Sequence, residues 1–280
     1  GYIYGDVMLC TVQSIEKILD THLEETEILM VDEVHKFGNG KHRLAAIQSF
    51  PNAQYRLGFT ATVPSEDIPI HSLEGALGSV YKVRTTSDLI DEGHLTKPTI
   101  QMLSVKEPDK SYDDYSYRDV YTELIVDNEE RNAGIARIVN TIRNSHDKAR
   151  ILILVNRLDH GRNLERLLGD SCFYLRGDNS IGDRYNTIRS FVSHRGSSVL
   201  LGTKILETGV DIREITHFIN ARGLKSPIAT IQALGRSLRL HDTKEKVFVY
   251  DFMDRGKYLN THARRRYNTY KKEGHEVEIL

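Results

Sequence analysis

Short apolar runs rich in β-branched residues alternate along the chain with stretches whose apolar positions recur every three or four residues. That is the pattern of βα units laid into parallel sheets. Runs at 6–11, 27–31, 55–59, 80–83, 99–105, 150–155, 172–175, 198–201, 217–220 and 246–250 predict buried strands. Stretches at 14–20, 41–50, 87–92, 131–144, 158–168, 184–193 and 227–238 predict helices between them. Connections of this kind favour right-handed crossovers and two open sheets. The segment Asp91-Glu92-Gly93-His94-Leu95-Thr96-Lys97-Pro98 carries Gly and Pro after a short helix, which puts a domain boundary near residue 96. The expected organisation is therefore α/β, with a first unit over 1–96, a second over 97–255 and a basic tail over 256–280.

Composition agrees with two folded cores. The chain has 280 residues, of which 39% are hydrophobic and 28% charged, a globular rather than a disordered balance. The longest apolar run, Ile151-Leu152-Ile153-Leu154-Val155, is far short of the roughly 20 residues of a membrane span. Cys10 and Cys172 form no CxxC pair, and the histidines show no HExxH set, so neither a disulfide framework nor a zinc site is indicated. No signal peptide or initiator Met opens the sequence, and a reducing, cytoplasmic setting is expected for a chain that begins within a longer protein.

Charge sharpens the picture. The formal net charge is −1, but residues 1–96 hold 7 Lys/Arg against 14 Asp/Glu, whereas residues 97–280 hold 31 against 25. The second part is the better face for a polyanion.

Candidate chemistry lies at strand ends. Ile28-Leu29-Met30-Val31 runs directly into Asp32-Glu33-Val34-His35, so a buried strand delivers adjacent carboxylates at the end where α/β folds place ligands. One carboxylate can hold Mg²⁺ while its neighbour orients and deprotonates a water, the division of labour that phosphoryl transfer needs. Gly58-Phe59-Thr60-Ala61-Thr62 ends the next strand with two hydroxyls. Further on stand Gly202-Thr203, Thr208-Gly209-Val210-Asp211 and the run Gln232-Ala233-Leu234-Gly235-Arg236-Ser237-Leu238-Arg239. On a helix, Arg236 and Arg239 would share one face, as a surface pair or as cations for a γ-phosphate.

Taken in order, these segments resemble motifs II, III, V and VI of the superfamily 2 helicases; 6–14 resembles the upstream strand-and-Thr motif, and Ile151–Asn156 motif IV. Within that superfamily the DEVH, GFTAT and QxxGRxLR forms look most like phage UvsW-like, RecG-like, XPB-like and restriction-subunit DNA motors. The resemblance implies two RecA-like units and an ATP-dependent DNA helicase or translocase hydrolysing ATP in an interdomain cleft. It further implies Asp32 on Mg²⁺, Glu33 as general base, and His35 with Gln232 coupling the nucleotide to the rest. Thr60 and Thr62 would link ATP to the strand, Thr11 and Thr203 would meet nucleic-acid phosphates, Gly209 and Asp211 would approach the nucleotide, and Arg236 and Arg239 would be arginine fingers.

One departure is large: the chain has no GxxxxGKS/T phosphate loop, and Gly38-Asn39-Gly40-Lys41-His42 lies after motif II with His where the hydroxyl belongs. The first unit is therefore expected to lack its opening portion, and the 280 residues alone to hydrolyse ATP at background. Rival readings are a restriction-endonuclease motor, an RNA helicase and a non-catalytic nucleic-acid-binding remnant. Tyr267 and Tyr270, set among basic residues, could stack bases but read better as part of an amphipathic terminal helix.

Overall fold

Parallel strands covered on both faces must bury nearly every residue, and three segments do so. They are β4 (Arg150–Leu154), β6 (Ser198–Gly202) and β7 (His217–Asn220), the last two buried along their whole length. The computed structural model of the chain describes residues 6–18, 20–38, 41–60, 67–203, 212–226, 235, 237–241, 244 and 246–280. It divides into two compact units, Gly1–Val83 and Arg84–Leu280.

In the second unit seven parallel strands stand in the order β5-β6-β4-β7-β8-β3-β9, with β3 at Lys97–Ser104, β5 at Cys172–Leu175, β8 at Lys246–Met253 and β9 at Val277–Ile279. The period-2 alternation of side chains splits the core in two. Ile151, Ile153, Val199, Leu201 and Ile219 face α6 (Glu129–Ser145) and α7 (Leu158–Leu168). Ile100, Met102, Leu152, Leu200, Val247 and Val249 face the other way, toward Phe191 of α8 (Ile181–Ser193) and Tyr270 of α9 (Leu259–Lys272). The helices start where their sequences allow: Asn128 caps α6 through Arg131 N–H, and Ser180 with Asp183 forms a capping box on α8.

The first unit pairs β1 (Ile28–Val31) with β2 (Tyr55–Gly58) in parallel. One face packs on α2 (Lys41–Gln48) and α3 (Asp67–Leu77) through Val31, Val34, Ile47 and Leu73. Ile28 and Met30, in register with Tyr55 and Leu57, are all exposed on the opposite face. Helix α1 spans Asp20–Glu25, after a 3-10 turn at Val12–Lys17.

The structure corrects several expectations. Residues 6–11 and 80–83 form no strand, and Val7, Leu9, Tyr81 and Val83 are exposed; apolar character alone does not make a strand without a neighbour to complete its hydrogen bonds. The division falls at Val83 rather than near 96, because α4 (Thr86–Asp91) belongs to the second unit: Ile90 and Leu95 join its core, and Thr96 N–H bonds to Leu238 O at 2.8 Å. Nor is 256–280 a tail, since Leu259, Ala263, Arg266 and Tyr270 of α9 are buried and β9 extends the sheet beside β3. Most of the expected helix 227–238 lies outside the described residues. Among those described, no helix is long and apolar enough to cross a membrane.

Two histidines tie this core to pH. Burial, then the charge of Arg131, pushes His160 down to about 3; burial, then His146, pushes His217 down to about 4. His217 stacks on Phe248 with ring centroids 5.1 Å apart. The unfolded chain takes up protons near pH 6.5 that the folded one refuses, so stability is full above that pH and falls as pH drops toward 4. His217→Phe, which keeps a ring in the stack, should reduce the acid loss by about 1.4 kcal/mol per pH unit, read from urea midpoints between pH 7 and 4.5. An unchanged slope would remove His217 from the account.

Candidate functional site

The end of β1 is clamped on both sides of its turn by the extension of β2. Phe59 N–H donates to Val31 O at 2.8 Å, and Val34 N–H donates to Phe59 O at 3.0 Å. Gly58 allows this approach, since a Cβ there would stand 2.9 Å from Leu77 Cδ1 and 3.0 Å from Val34 Cγ2. The glycine of the GFTAT segment therefore has a packing reason.

Within the turn, Glu33 adopts a left-handed conformation (φ 52°, ψ 40°). For a residue with a Cβ this costs on the order of 1–2 kcal/mol, strain of the sort that gathers at functional sites. Asp32 Oδ1 accepts the Glu33 N–H at 2.8 Å, and the Asp32 side chain is otherwise turned to solvent. His35 Nδ1 lies 2.9 Å from Thr60 Oγ1 and 3.3 Å from Glu33 Oε2. Burial lowers the His35 pKa, opposed by the charge of Glu33, so the ring is neutral at pH 7. The histidine thus bridges the carboxylate turn and the threonine that follows β2. Four of the sequence-derived candidates, Asp32, Glu33, His35 and Thr60, meet in one place.

Of the remaining described candidates, Thr11 belongs to the first unit and Thr203 and Arg239 to the second. Thr11 is exposed before the 3-10 turn, its Oγ1 3.0 Å from Ser14 Oγ. Thr203 is half-buried just past β6, where Gly202 O accepts Val155 N–H at 2.9 Å. Thr62, Gly209, Asp211, Gln232 and Arg236 lie outside the described residues. Arg239 is exposed but not helical: it pairs with Leu95 in an isolated antiparallel bridge, so the shared helical face expected for it and Arg236 does not extend that far. Lys244, which the sequence did not single out, fastens this stretch by donating to Ser237 O and Arg213 O, both at 2.9 Å.

Comparison with known proteins follows this layout. The model of the helicase conserved C-terminal domain matches residues 133–241, and that of the type III restriction enzyme res subunit matches 4–65. The ATP-dependent DNA helicase uvsW of Enterobacteria phage T4 is 23% identical over 255 residues, spanning 89% of this chain and 50% of that protein. These matches support a superfamily 2 helicase of the UvsW and restriction-subunit type. The two matched models fall on opposite sides of the Val83 division, each on the unit where the corresponding motifs stand.

Solved superfamily 2 structures share its RecA-like parallel-sheet fold. T4 UvsW superposes with a TM-score of 0.55 at 19% identity over 96% of this chain and 57% of its own. Saccharomyces cerevisiae Dbp5 bound to RNA and ADP BeF3 gives 0.61 at 16% identity, over 96% and 63%. The chain spans half or less of the length of the curated relatives it matches.

Proposed function

We propose that the protein is an ATP-dependent DNA helicase or translocase, with 1–83 carrying the motif II and III segments of one RecA-like unit and 84–280 forming the other. The observation that carries this reading is the strained Asp32-Glu33 turn joined through His35 to Thr60. It pairs a hydrolytic carboxylate with a relay leading away from it.

Asp32 is exposed and offers hard oxygen donors beside Glu33, and among the described residues no group of three His, Cys, Asp or Glu side chains could enclose a metal. This set fits Mg²⁺, which keeps most of its waters and takes one or two carboxylates with substrate phosphates. Asp32 would hold the ion, which when bound would offset phosphate charge. Glu33 is the general base that would orient the attacking water and take its proton. His35, neutral and hydrogen-bonded, couples that site to Thr60, with Thr62 and Gln232 as further coupling residues. Arg236 and Arg239 supply cations as charge develops, Gly209 and Asp211 approach the nucleotide, and Thr11 and Thr203 contact the sugar–phosphate backbone. Such contacts carry little sequence preference.

Steady-state ATPase assays of the full-length protein with branched, duplex and single-stranded DNA, and with single-stranded RNA of equal length, test the substrate. Stimulation by DNA is expected; stimulation by RNA alone would sink the DNA assignment. The match of 4–65 to a restriction res subunit favours a second reading, the motor of a restriction endonuclease. ATP-dependent DNA cleavage by the full-length protein would establish it.

A further inference from the structure

The chain contains no Trp, so tyrosine is its large amphipathic aromatic, and several tyrosines converge in the second unit beside the end of β4, next to the motif IV segment. Tyr117 opens α5 (Tyr117–Tyr121), which continues into a π-turn at Thr122–Val126. Tyr258 stands in the turn between β8 and α9. Their rings meet edge to face at 5.7 Å and 88°, with His262 5.5 Å and Tyr121 5.7 Å from Tyr117. Packed together, Tyr117 and Tyr258 still keep 39% and 38% of their surface exposed.

The pair is held from several directions. Lys257 Nζ donates to the carbonyls of Asp113 and Tyr115, stapling the loop before α5 to the turn, and lies 5.0 Å from the Tyr258 ring. Gly256 has φ 95°, and a Cβ on it would stand 2.8 Å from Leu124 Cδ1. Arg157, just past β4, lies 5.2 Å from the Tyr121 ring and donates to Thr122 Oγ1 at 2.5 Å. Tyr121 OH donates to Arg222 O, beyond β7, at 2.6 Å. The cluster thus sits over the C-terminal ends of β4, β7 and β8, the rim where open α/β sheets bind ligands.

Tyr258 is costly where it stands. Its φ of 64° and ψ of −46°, with Leu259 N–H donating to Lys257 O at 2.8 Å, make a γ-turn of the strained hand. The side chain makes no capping bond to α9, and glycine would fit the backbone better. The ring therefore has a use that neither the turn nor the helix explains. Acidic Asp113, Asp114 and Asp119 share the region, Asp113 tied to Ser111 and Asp119 to Ser116. Lys257 and Arg157 are engaged with carbonyls, a hydroxyl and rings, so partly exposed aromatic surface is what the cluster offers, and base–aromatic stacking is the interaction it suits. Thr203 follows β6 directly on the same rim, with β6 three strand spacings or about 14 Å from β8, within the reach of one bound strand.

We propose that Tyr117 and Tyr258 form a base-stacking platform for single-stranded nucleic acid. This rests on the helicase reading and adds a base contact to backbone contacts made elsewhere.

The test measures binding of the full-length protein to a fluorescent 20-mer of oligo-dT and to an abasic chain of the same sugar–phosphate length, with a thermal midpoint for every variant. Tyr258→Gly should hold or raise the midpoint, weaken oligo-dT binding roughly tenfold and leave abasic binding unchanged. Tyr117→Leu should do the same to binding, and Tyr258→Phe should retain it. Unchanged oligo-dT affinity in Tyr258→Gly and Tyr117→Leu, or equal losses on both probes, would overturn the platform. Wild-type binding that ignores the bases removes the platform and leaves the helicase reading standing. Wild-type protein that binds neither probe brings down both.

Discussion

In the full-length protein, Glu33→Gln is expected to cut ATP hydrolysis by about 10² or more while nucleotide binding and the thermal midpoint stay close to wild type. Gln has nearly the same shape and tolerates the same left-handed backbone, so the turn clamped by Phe59 should persist. What disappears is the basicity needed to take a proton from water, and a positioned base is worth about 10²–10⁴ in rate. Asp32 and the His35–Thr60 bond are untouched by the change. Single-turnover hydrolysis with radiolabelled ATP separates the chemical step from binding. Wild-type turnover in the variant would deny Glu33 the role of base.

The second large effect is structural. Arg266 is 1% exposed and lies between two carboxylates: its Nε is 3.0 Å from Asp251 Oδ1, and its Nη2 is 3.1 Å from Asp254 Oδ2. It also donates to Phe252 O at 2.7 Å and Leu224 O at 2.9 Å, locking α9 onto β8. Arg131 reaches Asp254 from α6 at 2.8 Å, while Asn220 and Tyr270 donate to Asp251 at 2.9 and 2.8 Å. Removing the guanidinium by Arg266→Met leaves Asp251 buried without its cation, which should cost about 3–5 kcal/mol. Pairing it with Asp251→Asn should recover much of the loss, because the stranded charge goes too. Arg264→Met and Arg265→Met, at exposed positions, should stay within about 0.5 kcal/mol. Urea titration of all four variants checks the order; a mild Arg266→Met would mean that water reaches Asp251.

These three adjacent arginines mark where reading from sequence stops. As a string, Arg264-Arg265-Arg266 is a basic patch. In the helix, Arg266 shares a face with Leu259, His262, Ala263 and Tyr270, all buried. That spacing was present in the sequence, but an Arg inside an apolar stripe becomes intelligible only once Asp251 and Asp254 are seen to meet it. Tyr270, a possible base-stacker from its basic neighbours, is completely buried, whereas Tyr117 and Tyr258 lie 141 positions apart and nothing local joins them. The strands from 150 to 253 were legible because burial on both faces leaves little but apolar residues. The DEVH turn was legible because chemistry fixes its residue types. The conformation of Glu33 was not, since it depends on backbone bonds from Phe59, and the false strands at 6–11 and 80–83 failed because pairing is not a local property.

The strand order also sets a schedule for synthesis. β3 pairs with β8 and β9, whose residues leave the ribosome about 150 positions or more after it. At the usual 5–20 residues per second, that interval is on the order of ten seconds. For that time Ile100 and Met102, destined for the core on one face of β3, have no neighbouring strand to lie against. The nascent second unit thus leaves these apolar side chains uncovered until β8 and β9, within its last 35 residues, are made, and slow translation after β3 would lengthen that exposure.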